Sequence, residues 1–209
     1  FAGLVSAGFM RAAAMQTTIY RTPVFRQFFV FLSWLGLGLG GWKIEGTAPK
    51  EDKYVLIAAP HTTNWDFPLM VAMAFMLRFE IYWMGKDTLF MGPAGPVMRW
   101  FGGIPINRSQ SNNIVQSTIA AFNSHDHLIV IIPPEGSRSK VKQWKSGFYH
   151  IAHGAGVPIA LGYLDFRRKV GGFGPTLYPT GEQDKDIKKI QSFYKDIKGK
   201  YPHKAAALD

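Results

Sequence analysis

Tyr54–Met70 reads YVLIAAPHTTNWDFPLM. The first six residues are apolar and suit a strand buried on both faces. Pro60 ends that run. From Phe67 to Leu77 the apolar residues continue without a charge, and Asp66–Leu77 is long enough for a helix, with Pro68 tolerated in its first turn and Asp66 as its N-cap. Strand, tight turn and helix in succession are one half of a βαβ unit. The turn holds His61 and, five residues on, Asp66. On one continuous helix these would point about 140° apart. They meet only if His61 lies in the turn and Asp66 at the helix start. A carboxylate on one imidazole nitrogen fixes the tautomer and leaves the other nitrogen as a base. The alternative is a structural histidine tied to the start of a helix.

Outward from this seam the alternation continues. Glu80–Met84 reads as a short strand, Thr88–Phe101 as a helix interrupted near GPAGP, and Ile104–Ile106 as a brief extended piece. Ser111–Ser124 is helical, HLIVII (His127–Ile132) is a second buried strand, Gly147–Ala155 a helix, and Val157–Leu164 a strand. Asp184–Lys200 is an amphipathic helix with Ile187, Ile190, Phe193, Tyr194 and Ile197 on its apolar side. The expected fold is therefore α/β: a single domain with a largely parallel central sheet flanked by helices, plus an N-terminal apolar helical segment. In such sheets ligands gather at the carboxyl ends of strands. Two polar clusters sit there: His61 after YVLIAA, and Glu135-Gly136-Ser137-Arg138 after HLIVII.

The chain has 209 residues, 47% of them hydrophobic, which is enough for one domain with a sizeable core. It has no cysteine, which excludes disulfides, thiolate metal sites and a cysteine nucleophile. Net charge is +10. Residues 138–209 carry fourteen Lys/Arg against six acids, and residues 1–50 carry five against one, whereas 51–137 carry five against seven. The basic excess thus flanks the His–Asp seam and favours anionic partners: lipid surface, phosphorylated substrate or nucleic acid. Phe28–Trp42 runs fifteen residues without a charge, short of a roughly 20-residue span. It reads as a buried helix or as an element lying on a membrane surface, flanked by Arg21, Arg26 and Lys43. Gly36, Gly38 and Gly41 match a dinucleotide-binding spacing, but no strand precedes them. Residues 1–14 and the closing KAAALD read as linker-like.

Three motifs follow in order: H-x4-D (His61, Asp66), G-x-I-x-I-x-R (Gly102–Arg108, with Gly103 inside it), and P-E-G-S-R (Pro134–Arg138). Together with GVPIALGYL from Gly156, in which Pro158 stands at a hallmark position, the pattern resembles the glycerolipid acyltransferases, the 1-acylglycerol-3-phosphate acyltransferases and their relatives. The resemblance covers about Tyr54–Leu164. It implies that His61 is the general base on an acceptor hydroxyl and Asp66 its partner. It implies that Arg108 and Lys86 hold phosphate, and that Glu135, Gly136, Ser137 and Arg138 shape the acceptor and donor site. It implies an acyl thioester on coenzyme A or acyl carrier protein as co-substrate, no cofactor and no metal, a lysophospholipid acceptor, and a place on the cytoplasmic face of a membrane. The domains expected are a membrane-associating segment over 15–43 and an acyltransferase domain over 44–209. Pro60, Thr63, Pro105 and Pro133 depart from the family's usual residues at positions that the resemblance sets along the acceptor pocket, and Trp65 and Ser137 are further departures within the motifs; this leaves another lysolipid or an aminolipid open as the acceptor. Two other classes stay open. A metal hydrolase could use His150 and His153 at i, i+3 spacing, although no carboxylate cluster joins them. A binding module for anionic lipid or nucleic acid could use RSKVKQWK (Arg138–Lys145), but it would have no need of the ordered His61, Asp66 and Glu135 motifs.

Overall fold

The structure, a computed structural model, describes residues 17–106 and 111–208. The linker-like residues 1–14 and Arg108 lie outside the described residues. A 3-10 turn, Ile19–Arg21, leads into helix α1 (Pro23–Gly40). Then come strands β1 (Lys43–Glu45) and β2 (Lys53–Ala59), helix α2 (Asp66–Leu77), strand β3 (Tyr82–Lys86) and helix α3 (Ala94–Trp100). Strand β4 (Gly103–Ile106), helix α4 (Ser111–Ser124), strand β5 (Leu128–Ile132) and helix α5 (Gly147–Ala155) follow. Strands β6 (Ile159–Asp165) and β7 (Val170–Leu177) and helix α6 (Gln183–Tyr194) complete the order.

The seven strands form one sheet in the order β1-β7-β6-β2-β5-β3-β4. The five from β6 to β4 are mutually parallel, and β7 turns back antiparallel to β6 with β1 beside it. Because side chains alternate across a strand, β2 feeds both faces. Val55, Ile57 and Ala59 join Phe122, Phe148, Ile151, Ile190 and Tyr194 from α4, α5 and α6. Tyr54 and Leu56 join Val71, Ala74 and Phe75 of α2 and the Ile19–Tyr20 turn on the other face. The parallel registers Ile57↔Ile132, Ala59↔Tyr163 and Lys86↔Ile106 bring the ends of β2, β5, β3 and β4 to one rim.

The α/β architecture and most boundaries agree with the sequence reading; α2, α4 and α5 have the ranges expected. Four differences have local causes. Thr88–Phe101 is not one interrupted helix but a 3-10 turn, Asp87–Phe90, and then α3, separated by Gly92 at φ +67°. The amphipathic helix stops at Tyr194 rather than Lys200, because the chain turns off so that Lys198 O accepts the Phe166 amide beyond β6. Strand β7, VGGFGPTL, carries no alternating pattern and was not expected. KAAALD is not a linker: Ala206 donates its amide to Glu135, and Leu208 packs against the core.

Helix α1 lies against α2 through Phe29, whose ring stacks on Phe75 at 5.5 Å between centroids, and buries Ser33 and Leu37. Its outer face is bare: Val24, Phe28, Phe31, Trp34 and Leu39 are exposed, Leu39 at 81%. A helix buried all round is therefore excluded. Its 18 residues have a mean hydropathy of 1.2, long and apolar enough by length and composition to cross a membrane. The glycine motif ends the helix, with Gly41 at φ +70° and the Trp42 amide on Leu37 O, so it opens no phosphate-binding turn.

Candidate active site at the carboxyl rim of the sheet

His61 leaves the end of β2 in a turn, and its Nδ1 lies 3.0 Å from Asp66 Oδ2. Asp66 is not the N-cap. Trp65 holds that position and Asp66 is the first helical residue. Its carboxylate turns back instead, where Oδ2 also accepts the amides of Thr62 at 2.9 Å and Thr63 at 3.0 Å. Three donors thus converge on one oxygen. Two are main-chain, so they hold the turn whatever the ring does. The third orients the imidazole. An acceptor-only oxygen at Nδ1 requires Nδ1 to carry the proton, which leaves Nε2 as the basic nitrogen. The His61 side chain is 24% exposed and that of Asp66 8%.

Glu135 is placed behind the same turn. It is 3% exposed, and its two oxygens grip two separate chain segments. Oε2 accepts the main-chain amide of His61, and Oε1 accepts that of Ala206 at 3.2 Å. Burial raises its carboxyl above the ordinary 4.5, while the two amides pull the other way. Beyond it, Gly136 turns at φ +66° with the Lys145 side chain over it, Ser137 Oγ accepts the Ser139 amide, and Arg138 is exposed.

The remaining expected residues divide by position. Lys86 is exposed at the end of β3 beside Ile106, on the same rim as His61. Gly103 and Pro158 are at the opposite ends of their strands. Gly103 is buried where a Cβ would meet Met98 O at 2.6 Å, and Pro158 O accepts the Val55 amide at the start of β2. Both serve packing and pairing there. Among the described residues no three His, Asp or Glu side chains converge as metal ligands. His150 meets Ser146, and His153 stacks on Tyr149. The aromatic within the basic run is also spoken for, because Trp144 packs edge-on against Tyr194 at 5.5 Å between centroids.

Sequence reasoning missed the C-terminal segment. From Lys195 to Leu208 it crosses the rim and walls a cavity of about 350 Å³ with Ala59, Pro60, Glu135 and Trp144. No motif in that segment announced it.

A family model described as Acyltransferase matches residues 42–160, more than half of the chain and spanning His61, Asp66 and Glu135. The chain belongs to the acyltransferase family. Among curated proteins it is similar to the 1-acyl-sn-glycerol-3-phosphate acyltransferase of Haemophilus influenzae, 29% identical over 131 residues that cover 58% of this chain and 53% of that one. The enzyme of the same name from Salmonella typhimurium is 30% identical over 130 residues, covering 58% and 52%. The chain therefore spans about half the length of the curated relatives it matches. Among solved structures it resembles the 1-acyl-sn-glycerophosphate acyltransferase PlsC of Thermotoga maritima, with a TM-score of 0.60, 17% identity, and coverage of 91% of this chain and 84% of that one. At that identity the likeness concerns the fold alone.

Proposed function

We propose that this acyltransferase-family chain moves a fatty acyl group from an acyl thioester, on coenzyme A or acyl carrier protein, to the hydroxyl of a lysophospholipid, with 1-acylglycerol-3-phosphate as the acceptor. The observation that carries the reading is the His61 ring held through Nδ1 by Asp66, with Nε2 left for substrate. Nε2 takes the proton of the acceptor hydroxyl as its oxygen attacks the thioester carbonyl. The tetrahedral intermediate then collapses, the C–S bond breaks, and the imidazolium returns the proton to the departing sulfur. An ester and a free thiol result, with no acyl-enzyme. Asp66 stabilises the positive ring while it exists. Lys86 and Arg108 hold the acceptor phosphate, and Gly136, Ser137 and Arg138 border the reacting groups. The bare aromatic face of α1, with Arg21, Arg26 and Lys43 near its ends, lies on the cytoplasmic face of a membrane and brings the rim to its lipid substrate.

The test is thiol release from palmitoyl-coenzyme A with and without lysophosphatidic acid. Release that needs the acceptor and falls about 10²–10⁴-fold in a folded His61→Ala variant is the expected result. Wild-type-like release from His61→Ala refutes the assignment.

A further inference from the structure

The C-terminal segment touches the His61 turn and the Glu135 loop at once. Four contacts do this. The Tyr201 amide donates to Thr62 Oγ1 at 3.3 Å. The Ala206 amide donates to the same Glu135 carboxylate that receives the His61 amide. Beside the first of these, Gly199 is packed so close that a Cβ there would lie 2.7 Å from Thr62 Oγ1 and 3.1 Å from Pro60 Cγ. The Lys200 ammonium sits 5.3 Å from the centre of the Trp65 ring, at the far side of the same turn. Thr62 is 1% exposed and its side chain faces the strap, while its amide faces Asp66. One residue thus links the strap to the oxygen that orients the imidazole.

We infer that Gly199–Ala206 is a positioning strap for the catalytic turn: acting through Thr62 and Glu135, it fixes where the His61 imidazole stands relative to the acceptor hydroxyl. The inference rests on the acyl-transfer reading of His61. Thr62, Gly199 and Tyr201 touch no reacting atom; they set the main chain that carries the base. An oxygen-to-nitrogen proton transfer tolerates little displacement, and a misplacement of about 1 Å can lower a rate roughly 10²-fold. Asp66 alone does not remove this freedom. It ties the turn to α2, so a shift of the turn together with the first residues of that helix is opposed from the other side, by the strap.

The test uses the full chain with Thr62→Val, Thr62→Ser and Gly199→Val. Thr62→Val keeps the shape and removes the acceptor of the Tyr201 amide; Gly199→Val pushes the strap from its own side, so the proposal survives a folding failure of either. Two quantities are read. Hydrogen exchange at the His61 amide reports the hold on the turn and needs no activity. The steady-state thiol-release parameters report its consequence. In both valine variants His61 exchange should rise at least about tenfold. kcat should fall roughly tenfold with acceptor KM within about twofold, since the substrate-binding groups are untouched. Thr62→Ser should restore both. Unchanged His61 exchange overturns the strap, as does faster exchange with unchanged kcat, or a loss that Thr62→Ser does not recover. A wild type that releases no thiol defeats the acyl-transfer reading instead, and the exchange comparison then decides whether the strap holds the turn.

Discussion

Asp66→Asn separates the two tasks that converge on Asp66 Oδ2. The asparagine carbonyl can occupy the Oδ2 position and accept from His61 Nδ1, Thr62 N and Thr63 N as before. Its NH2 falls where Oδ1 lies buried with no partner among the described residues, which costs about 1 kcal/mol. The fold and the tautomer are kept; the charge is lost. A charge 3.0 Å from an imidazolium is worth about 5 kcal/mol at an effective dielectric of ~20. A neutral hydrogen bond retains about 1–2 kcal/mol of it, so the barrier should rise by about 3–4 kcal/mol. That is a rate loss of roughly 10²–10³. Asp66→Ala is the control. It strips the acceptor from two buried main-chain amides, each worth about 1–3 kcal/mol, and should lower Tm by about 5–15 °C as well as abolish activity. The assay is acceptor-dependent thiol release beside a thermal melt. If Asp66→Asn runs within about tenfold of wild type, Asp66 is only the acceptor that closes a turn, and the electrostatic part of the mechanism is wrong.

Glu135→Gln must turn an NH2 toward either the His61 or the Ala206 amide, and should cost about 1–3 kcal/mol of stability in denaturant titration. The Glu135 carboxyl is raised in the folded state, so what it contributes is fully present below the ordinary 4.5 and is lost as pH rises through its folded value. The Tm advantage of wild type over Glu135→Gln should therefore shrink over that window; an advantage that grows with pH contradicts the burial argument. Replacing Phe28, Phe31 and Trp34 together by glutamine should leave Tm within about 3 °C, since all three are exposed, yet weaken sedimentation with anionic vesicles by roughly tenfold or more. Unchanged vesicle binding removes α1 from the membrane model. Gly172→Ala places a Cβ 1.9 Å from Glu45 O and should detach β1 from β7, lowering Tm by at least about 5 °C.

The sequence displayed the centre of this fold plainly and its edges poorly. YVLIAA and HLIVII are buried on both faces, so their runs are continuous and hard to read otherwise, and α2 follows from the turn that β2 enters. Strand β7 offers no such signal. Three glycines and a proline replace the alternating apolar residues, because β1 crosses so near at Gly172 that a side chain would have no room. His61 and Asp66 were legible because their contact spans five residues and a turn. Glu135 was legible as a residue but not as a contact: its partner amide lies 74 positions earlier, and only the parallel register of β2 and β5 brings them together. The outward face of α1 was half legible. A fifteen-residue uncharged run proclaims a helix, but which side is covered depends on where Phe75 and Phe101 stand.

Glu135 holds its two neighbours by their main chains alone. Every residue type except proline brings the same N–H to position 206, and the grip on His61 is equally indifferent to side chain. The C-terminal segment is thus free to drift in spelling while keeping its place, provided that the small residue at 199 and the hydroxyl at 62 persist. A structural duty discharged through peptide groups leaves little trace in the letters, so counterparts of this strap in distant relatives are to be sought by superposition rather than by alignment.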